Sequence, residues 1–541
     1  MLRTSVDMGE PSWITVTSDT GCESHEYVRD ANYFADTQIA LVSQGEGTII
    51  SLSSPSTPIR YLKIRWNKHL PSDGRYLSDE WERGYGTMGF QTLRPNRIMP
   101  WYFFCVSGDA IHAFGVKVQA NAMCFWQVDS AGITLVLDVR NGGSGVVLGS
   151  RRLTVATVLR TDYSGVDSFF AAHEFCRQLC PNPVFPELPV YGSNNWYYAY
   201  GDSSEEEILK DADYILGLTQ GAINPPTLVI DDCWQEHHRL NEYNGGPWTQ
   251  GNSKFPDMQA LAATLVDRGV NPGIWIRLLL NESEDIPETW RSPLNGCLDP
   301  THPDALTYIA HDVQRMCEWG YRVIKHDFST FDLFGRWGFE MNPLITAEDW
   351  HFHNQSMTNA EVVKQLYTVI YETAHSYGTI ILGCNTIGHL GAGLMHINRI
   401  GDDTSGLDWE RTRQIGINSL AFRLPQHGAF YDVDADCVGI MGRIDWSMNR
   451  QWSDLLARSG TPMFISAKPG VMTTQEECEM RGLLLIASQQ RIHLKPLDWE
   501  LNDCPELWED GDVNRQYRWY EPEGLAFSTT PTRSIPMLSI E

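Results

Sequence analysis

The chain has 541 residues, of which 42% are hydrophobic and 20% are charged. It is therefore long enough for about three domains and too apolar to be disordered. Its 41 Lys and Arg residues stand against 68 Asp and Glu residues, and the net charge of −27 repels nucleic-acid phosphates and anionic lipid surfaces. We expect neither a nucleic-acid partner nor a membrane partner.

The 12 cysteines are spread along the chain and include no CxxC pair. This spacing argues against a disulfide scaffold or a zinc ribbon and suggests a reducing compartment. The opening residues, MLRTSVDMGEPSW, lack the apolar segment of a signal peptide, and no stretch approaches the ~18 apolar residues of a membrane span. We therefore expect a cytoplasmic location.

Residues 1–165 contain many short β-type segments separated by Gly, Ser, Asn and Pro. They include SWITVTSD, QIALVSQG, GTIISLSS, YLKIRW and ITLVLDVRN. Short strands without a helical period are typical of antiparallel sandwiches. The pattern changes in residues 166–186, where VDSFFAAHEFCRQLC places apolar residues on one helical face. We predict an N-terminal β-sandwich followed by a linking helix.

Residues 187–490 alternate apolar strand candidates with amphipathic helices. The first strand candidate, PVYGSNNWYYA, precedes a helix that begins near Ser204, where Glu207 completes a capping-box spacing. The further strand candidates are TLVIDDCW, GIWIRLL, RVIKHDF, TIILGCNT, HINRIGDD, HGAFYDVDAD and PMFISAKPG. Eight β/α units over about 300 residues predict a (β/α)8 TIM barrel, whose catalytic groups lie where the strands end.

Two other features complete the predicted architecture. An open doubly wound sheet is the alternative to the barrel, but no Gly-rich phosphate loop follows the first strand. Residues 491–541 have the pattern of a short C-terminal β region. The predicted fold class is thus α/β, with a central barrel between an N-terminal sandwich and a short β appendage.

Polar residues cluster at the ends of the predicted barrel strands. They are Asp231 and Asp232 after strand two, Lys325 and Asp327 on strand four, Cys384 on strand five, and Arg399, Asp402 and Asp403 on strand six. A single acid at a strand end is commonly a helix N-cap, but N-caps do not account for so many. In the K-x-D of strand four, alternation places Lys325 and Asp327 on one face, so that an ammonium lies beside a carboxylate.

Two carboxylates on different strands of a Trp-lined pocket are what glycoside hydrolysis requires, one as nucleophile and one as acid/base. The second carboxylate is Asp402 or Asp403. The tryptophans near strand ends are Trp196, Trp234 and Trp275. Each of them is also a candidate for ordinary packing.

Metal binding is the competing use of such carboxylates. Asp231 with Asp232, or the acids of DVDAD at 432–436, could hold a hard cation, but their spacing is not that of an EF-hand loop. The histidine pairs at 237–238 and at 351 and 353 lack an HExxH frame. We expect no metal and no organic cofactor.

At these positions the sequence resembles the retaining α-galactosidases of glycoside hydrolase family 36 and the related family 27. The family nucleophile is the Asp of a K-x-D motif on strand four, which implies Asp327 with Lys325 beside it. The family acid/base is the Asp of an R-x-x-x-D motif on strand six. Counting from Arg399, this motif implies Asp403 rather than Asp402.

The resemblance also implies a set of sugar-binding residues. These are the Asp pair Asp231 and Asp232 for hydroxyls O4 and O6, Cys384 near the 2-position, and Trp196 and Trp275. The segment Trp81-Glu82-Arg83-Gly84-Tyr85-Gly86 is similar to a W-E-R-x-Y-G segment of the family. It either reaches the barrel mouth or packs as a loop.

The chain departs from the family in two places. Its C-terminal β region is shorter than that of typical members, and the surroundings of strand five lack a Gly-rich segment. The resemblance therefore leaves other specificities open: α-N-acetylgalactosaminidase, β-L-arabinopyranosidase and galactosyl transglycosylase.

The resemblance implies a retaining exo-glycosidase that removes terminal α-D-galactosyl groups from oligosaccharides or glycoconjugates. In this mechanism Asp327 attacks the anomeric carbon and Asp403 donates the proton, for which its pKa must be high. Asp327 would be kept ionised by Lys325. The rival hypotheses are a catalytically silent carbohydrate-binding protein and a metal-dependent barrel hydrolase. A homo-oligomer is left open.

Overall fold

The structure is a computed structural model that describes residues 2–45, 47–489 and 494–520. Its first part consists of strands β1 (Leu2–Ser5), β2 (Trp13–Ser18), β3 (Cys22–Glu26), β4 (Asn32–Phe34), β5 (Thr37–Gln44), β6 (Gly47–Ser53), β7 (Ile59–Trp66), β8 (Arg75–Ser78), β9 (Gln91–Thr92), β10 (Met99–Pro100), β11 (Tyr102–Ser107), β12 (Ala110–Val116), β13 (Met123–Asp129), β14 (Gly132–Asp138) and β15 (Arg152–Ser164).

These strands form two sheets. One has the order β4-β5-β6-β15-β12-β11-β8-β9, with β1 also on β15, and the other has the order β10-β13-β14-β7-β2-β3. Their pairings are antiparallel, as predicted. Aromatic side chains join the sheets, since the Trp126 ring on β13 lies 5.7 Å from Phe103 on β11 and 6.2 Å from Phe114 on β12. Burial of these rings stabilises the contact between the two sheets.

Helix α1 (Ser168–Leu179) lies within the segment predicted as a linking helix. It begins where the Asp167 side chain accepts a hydrogen bond from the backbone N–H of Phe170. Its buried face contains Ala172, Phe175 and Cys176. The predicted apolar face is therefore the one that packs.

The second part alternates strands and helices. In chain order these are β16 (Tyr191–Asn194), α2 (Trp196–Ala199), α3 (Glu205–Leu218), β17 (Thr227–Ile230), α4 (Met258–Arg268), β18 (Asn271–Ile276), α5 (Pro303–Glu318), β19 (Val323–His326), α6 (Ser329–Phe334), α7 (Asn359–His375), β20 (Ile380–Gly383), α8 (Gly388–Gly391), β21 (Ile397–Arg399), α9 (Trp409–Thr412), α10 (Asn418–Arg423), β22 (Asp432–Asp434), β23 (Val438–Ile440), α11 (Trp446–Ser459), β24 (Met463–Ala467) and α12 (Thr474–Gln489). Three short 3-10 turns (Glu288–Trp290, Gly338–Glu340, Leu424–Gln426) and one π-helical turn (Arg413–Ile417) lie between them.

The strands of this part form one parallel sheet in the order β22-β21-β20-β19-β18-β17-β16-β24-β23. The order follows the chain without the reversal of a doubly wound sheet, and β16 pairs with both β17 and the last strand, β24. The seventh predicted strand is two strands, β22 and β23. The chain breaks between them because Asp436 adopts a left-handed φ of 82°.

The parallel arrangement brings the carboxyl ends of the strands to one edge of the sheet. The mixed α/β class, with a parallel sheet, helices and separate antiparallel sheets, is confirmed. None of the described helices is long and apolar enough to cross a membrane.

The C-terminal part contains a small antiparallel sheet of β25 (Leu494–Pro496), β26 (Leu507–Asp510) and β27 (Val513–Gln516). It contacts both preceding parts: the Trp499 ring lies 5.2 Å from that of Phe90 in the first part, and Trp409 Nε1 in the second part donates to the carbonyl of Trp519 at 2.7 Å. Of the predicted β region 491–541, residues 491–493 and 521–541 lie outside the described residues. The domain boundaries stay predictions.

Candidate active site

A pocket with about 370 Å³ of space between protein atoms, part of it open to solvent, lies at the carboxyl ends of the parallel strands; we call it the cavity. It is lined by Asn194, Trp196, Tyr197, Asp231, Asp232, Asn244, Trp275, Lys325, Asp327, Phe328, Arg399, Asp403, Asp436 and Cys437. Eight of the nine residues predicted from the sequence are among them, and Cys384 is not. The expectation that functional residues lie where the strands end therefore gave the position of the cavity. It does not by itself say which reaction the cavity supports.

Asp327 follows β19 and is held by two donors. Its Oδ2 accepts a hydrogen bond from Trp275 Nε1 at 3.1 Å, and its Oδ1 accepts one from the backbone N–H of Phe328 at 2.7 Å. Phe328 has a left-handed φ of 62°, so the chain turns sharply after the aspartate. These two fixed donors orient the carboxylate.

Lys325 does not make its closest ion pair with Asp327. Its Nζ lies 2.7 Å from Oδ2 of Asp231, which follows β17, and β18 lies between that strand and β19. Both residues line the cavity, as side-chain alternation predicted, but the direct pairing expected within the K-x-D motif is wrong. The reason is reach, because the long lysine side chain extends past β18 to the acid at the end of β17.

Asp231 is occupied by protein partners. Besides Lys325, its Oδ2 accepts a hydrogen bond from Asn194 Nδ2 at 2.6 Å, and its Oδ1 accepts one from the backbone N–H of Asp232 at 2.9 Å. Its own backbone N–H donates to Asn195 Oδ1 at 2.7 Å. These bonds hold the end of β17 in place. They also occupy both carboxylate oxygens of Asp231, which is therefore less available to a ligand.

Asp232 differs from its neighbour, although both line the cavity. The chain turns directly after it, where Cys233 has a φ of 149°. Burial raises the pKa of Asp232 to about 8, the hydrogen bond from Gln235 Nε2 at 2.8 Å opposes this rise, and the charge of Asp231 adds to it. The raised pKa makes Asp232 a neutral acid at pH 7, able to donate a hydrogen bond as well as to accept one.

The two candidate acids on strand six have different surroundings. Asp403 lines the cavity, and its Oδ1 lies 2.9 Å from Arg399 Nη2. Asp402 does not line it, because its carboxylate is shared by Arg411 at 3.0 Å and Arg83 at 3.2 Å. The geometry favours Asp403 as the residue that meets a ligand.

The pKa of Asp403 departs from the expectation for a proton donor. Burial raises this pKa, but the cations Arg399, Arg83 and Lys325 lower it by more than burial raises it. The pKa of Asp403 therefore lies below the usual value for an aspartate. Asp403 is thus ionised at neutral pH, and the structure does not show the high pKa expected of a proton donor.

Asp436 is a cavity residue whose role the sequence pattern did not predict. The pattern placed it only in an acidic metal cluster, but its Oδ2 lies 2.7 Å from Arg399 Nη2 and accepts hydrogen bonds from Tyr197 and from the backbone N–H of Thr404. The guanidinium of Arg399 is therefore divided between Asp436 and Asp403. The signal available in the sequence was an acid at the end of the seventh strand candidate.

Other predicted residues lie away from the cavity surface. Cys384 is buried, and its Sγ lies 3.9 Å from Arg399 Nη1. Trp234 is fully buried, donates to the carbonyl of Trp275 at 2.9 Å and packs on Trp248. Neither residue lines the cavity, but each contacts a residue that does: Cys384 contacts Arg399, and Trp234 contacts Trp275.

Within residues 2–45, 47–489 and 494–520, no group of three or more His, Cys, Asp or Glu side chains is arranged to hold a metal ion. Asp231 and Asp436 are instead paired with Lys325 and Arg399. Bound cationic side chains occupy the positions that a hard metal ion would take.

The segment after β8 reaches the edge of the parallel sheet. Glu82 has a fully buried side chain that accepts hydrogen bonds from Tyr85 Oη at 2.6 Å and from the backbone N–H of Gly338 at 2.8 Å, and it also bonds Asn385 Nδ2. Arg83 adds the ion pair to Asp402. This segment therefore packs beside the cavity mouth.

No family model matches the chain. Among curated proteins, the chain is similar to the α-galactosidases of Oryza sativa subsp. japonica (27% identical over 140 residues, 26% of this chain) and of Cyamopsis tetragonoloba (25% identical over 158 residues, 29% of this chain). The chain spans 29% and 34% of the length of these relatives.

Solved structures resemble the chain over most of its length. An α-galactosidase from Thermus thermophilus in complex with p-nitrophenyl α-D-galactopyranoside has a TM-score of 0.58 at 15% identity, covering 89% of this chain and 99% of that chain. A family 36 α-galactosidase from Geobacillus stearothermophilus in complex with 1-deoxygalactonojirimycin has a TM-score of 0.56 at 15% identity, covering 90% and 77%. These likenesses support the fold, and with the curated relatives they confirm the resemblance to α-galactosidases.

Proposed function

We propose that the chain is a retaining exo-glycosidase that releases terminal α-D-galactosyl groups from oligosaccharides or glycoconjugates. The observation that carries the proposal is that Asp327 and Asp403, on different strands, line one cavity together with the tryptophans Trp196 and Trp275. Two carboxylates in such a pocket are the machinery of retaining glycosidases. The names of the curated relatives agree with this activity.

We also infer the finer architecture. The sequential order of the parallel strands and the pairing of β16 with β24 support a (β/α)8 barrel. The break at 435–437, between β22 and β23, would then lie within the seventh barrel strand. The two antiparallel sheets, joined by their aromatic residues, support an N-terminal sandwich.

In the first chemical step, a carboxylate oxygen of Asp327 forms a bond to the anomeric carbon while the bond from that carbon to the leaving oxygen breaks. Asp403 gives its proton to the leaving oxygen. In the second step Asp403 takes a proton from water, the water oxygen attacks the anomeric carbon, and Asp327 leaves as a carboxylate.

Asp403 must gain a proton before the first step. Sugar binding supplies two causes: it displaces water around Asp403, and it encloses that group with the negative charge of Asp327. The positive charge of Arg399 opposes protonation of Asp403. Its effect is reduced because the same guanidinium also pairs with Asp436. When Asp327 becomes an ester its charge disappears, so that the pKa of Asp403 falls again and the group acts as base.

The sugar is assigned from Asp232, whose neutral acid can both donate to and accept from ring hydroxyls. Solved relatives hold p-nitrophenyl α-D-galactopyranoside and stachyose, which supports galactosides of this kind as substrates here. An α-N-acetylgalactosaminidase, a β-L-arabinopyranosidase and a galactosyl transglycosylase use the same pair of acids and remain the alternatives. Oligomeric state and cytoplasmic location stay predictions.

The test is turnover of a panel of p-nitrophenyl glycosides by the purified protein, with the anomer of the released sugar followed by NMR. We expect hydrolysis of the α-galactoside with first release of α-galactose. First release of the β-anomer would contradict a retaining mechanism. Binding of galactosides without turnover would indicate the silent carbohydrate-binding protein instead.

A further inference from the structure

A row of aromatic side chains leads from the cavity to the protein surface. Phe328 lines the cavity, and its ring lies 5.6 Å from that of Trp337. The Trp337 ring faces the Arg83 guanidinium at 5.5 Å, and the Tyr85 ring lies 5.8 Å from the same guanidinium. The row thus joins the loop after β19 to the segment after β8.

Phe339 forms the outer end of this row. Its ring meets the Tyr85 ring edge-on at 5.0 Å, and the residue is 60% exposed. A single exposed apolar residue is ordinary, but one that continues an aromatic row out of a polar cavity is typical of a binding surface. We call Trp337, Tyr85 and Phe339 the aromatic shelf.

The shelf is fixed by a buried carboxylate. Glu82 accepts hydrogen bonds from Tyr85 Oη and from the backbone N–H of Gly338, which lies between Trp337 and Phe339. A Cβ at position 338 would lie 2.7 Å from Oε2 of Glu82, so that only glycine permits this approach. A surface held in this way loses little entropy when a ligand binds.

The position of the shelf relative to Asp327 and Asp403 indicates which end of the substrate the shelf would contact. Asp403 protonates the leaving oxygen, and its chain neighbour Asp402 pairs with Arg83 at 3.2 Å. Arg83 lies between Trp337 and Tyr85 in the row. The shelf therefore lies on the side to which the leaving group departs.

A second groove lies beside Asp232. It is lined by Gly201, Asp202, Cys233, Glu236, His238, Leu240, Gln250, Gly251, Asn252, Ser253 and Lys254. His238 Nε2 lies 4.0 Å from Oδ1 of Asp232, which we assign to the hydroxyls remote from the anomeric carbon. The groove is consequently close to the end of the galactosyl group that is remote from the anomeric carbon, so it is not placed to bind the leaving group.

We propose that Phe339, the exposed end of the aromatic shelf, forms an acceptor-side subsite that stacks on the sugar ring to which the terminal galactosyl group is attached. The Trp337 ring already stacks on Phe331 at 4.7 Å and faces Arg83, so Trp337 supports the subsite without stacking on the sugar. The C–H bonds of a sugar ring present positive edges to the negative faces of aromatic rings. The substrates would then be galactosyl oligosaccharides rather than simple galactosides. This inference rests on the proposed α-galactosidase function.

The test compares stachyose with methyl α-D-galactopyranoside, whose leaving group has no ring. The variant Phe339→Ala is expected to lower the ratio of kcat/KM for stachyose to that for the methyl glycoside by roughly three- to tenfold. Phe339→Tyr keeps a ring at the same place and should keep the ratio within about twofold. Because the residue is mostly exposed, neither change threatens folding.

Two control variants distinguish stacking at the shelf from a general effect of removing an exposed apolar side chain. Phe170→Ala removes a ring that is 38% exposed on α1, and Leu240→Ala removes a side chain of the second groove, so both should leave the ratio unchanged. An unchanged ratio in Phe339→Ala, or an equal fall in Leu240→Ala, would overturn the proposal. A Phe339→Ala variant with the wild-type ratio but an altered sedimentation coefficient would assign Phe339 to an interface between copies.

The experiment distinguishes failure of the proposed α-galactosidase function from failure of the subsite. A wild-type protein that hydrolyses neither stachyose nor an aryl α-galactoside contradicts that function, and the subsite with it. A wild-type protein that hydrolyses both, with an unchanged ratio in Phe339→Ala, contradicts the subsite alone.

Discussion

The ammonium of Lys325 lies 2.7 Å from the carboxylate of Asp231, and both side chains are almost fully buried. A lysine two strands away, on β19, thus neutralises the acid at the end of β17. Burying two charges is costly unless they stay paired, so the pair acts as a unit that removal of either partner disrupts.

We expect Lys325→Met to lower the free energy of unfolding by about 3 kcal/mol, because it leaves the Asp231 carboxylate buried without its cation. The matched control is Lys254→Met, whose partner Asp202 also lies 2.7 Å away but in an exposed pair. That change should cost less than about 1 kcal/mol. Urea unfolding measures both values, and equal losses would contradict the distinction.

Asp327→Gly should abolish turnover of aryl α-galactosides, because it removes the group that bonds to the anomeric carbon. Added azide should restore part of the activity and yield β-galactosyl azide, since the anion enters from the face that the carboxylate vacates. Product NMR identifies the anomer. Full activity of the variant without azide would exclude Asp327 as nucleophile.

Asp403→Ala should reduce kcat/KM far more for stachyose than for a dinitrophenyl α-galactoside, because a good leaving group needs little protonation. Asp402→Ala is the control: its carboxylate pairs with Arg83 and Arg411, so both substrates should lose rate equally. The reverse pattern would assign the acid to Asp402.

Asp232→Ala should lower kcat/KM for α-galactosides by roughly ten- to a hundredfold, because ring hydroxyls in a closed cavity would lose a hydrogen-bond partner. The preference of the wild type for aryl α-galactoside over aryl α-glucoside should shrink in the same variant. Comparable wild-type rates on the two substrates would refute the galactose assignment.

The raised pKa of Asp232, about 8, makes stability depend on pH. The unfolded chain has released this proton above about pH 4, whereas the folded chain keeps it up to about pH 8. Folding therefore binds a proton in this window, and the contribution of Asp232 to stability falls as the pH rises.

The variant Asp232→Asn cannot release a proton, so its Tm relative to the wild type should increase steadily from pH 5 to pH 8. Calorimetry at several pH values measures this difference. A difference that is constant over the window would show that Asp232 is ionised throughout.

The sequence predicted the position of the site better than its connections. Asp327 could be placed because strand alternation and strand ends are local properties of the chain. The same pattern left Asp402 and Asp403 open, and only the family resemblance favoured Asp403. The partner of Lys325 depends on the side-chain reach between two strands that are 94 positions apart in sequence, which no local pattern encodes. The split of the seventh strand at Asp436 depends on a backbone φ of 82° that an aspartate adopts only with support from its neighbours.

The contacts of Glu82 bear on how the molecule can be divided. A fragment that starts at residue 187 would retain every residue that lines the cavity. It would nevertheless remove Glu82, which bonds Asn385, and Arg83, which pairs with Asp402. The excised part would keep every residue of the cavity but lose contacts that hold its surroundings in place, so the β-rich N-terminal part is better regarded as a support of the cavity than as a separable accessory.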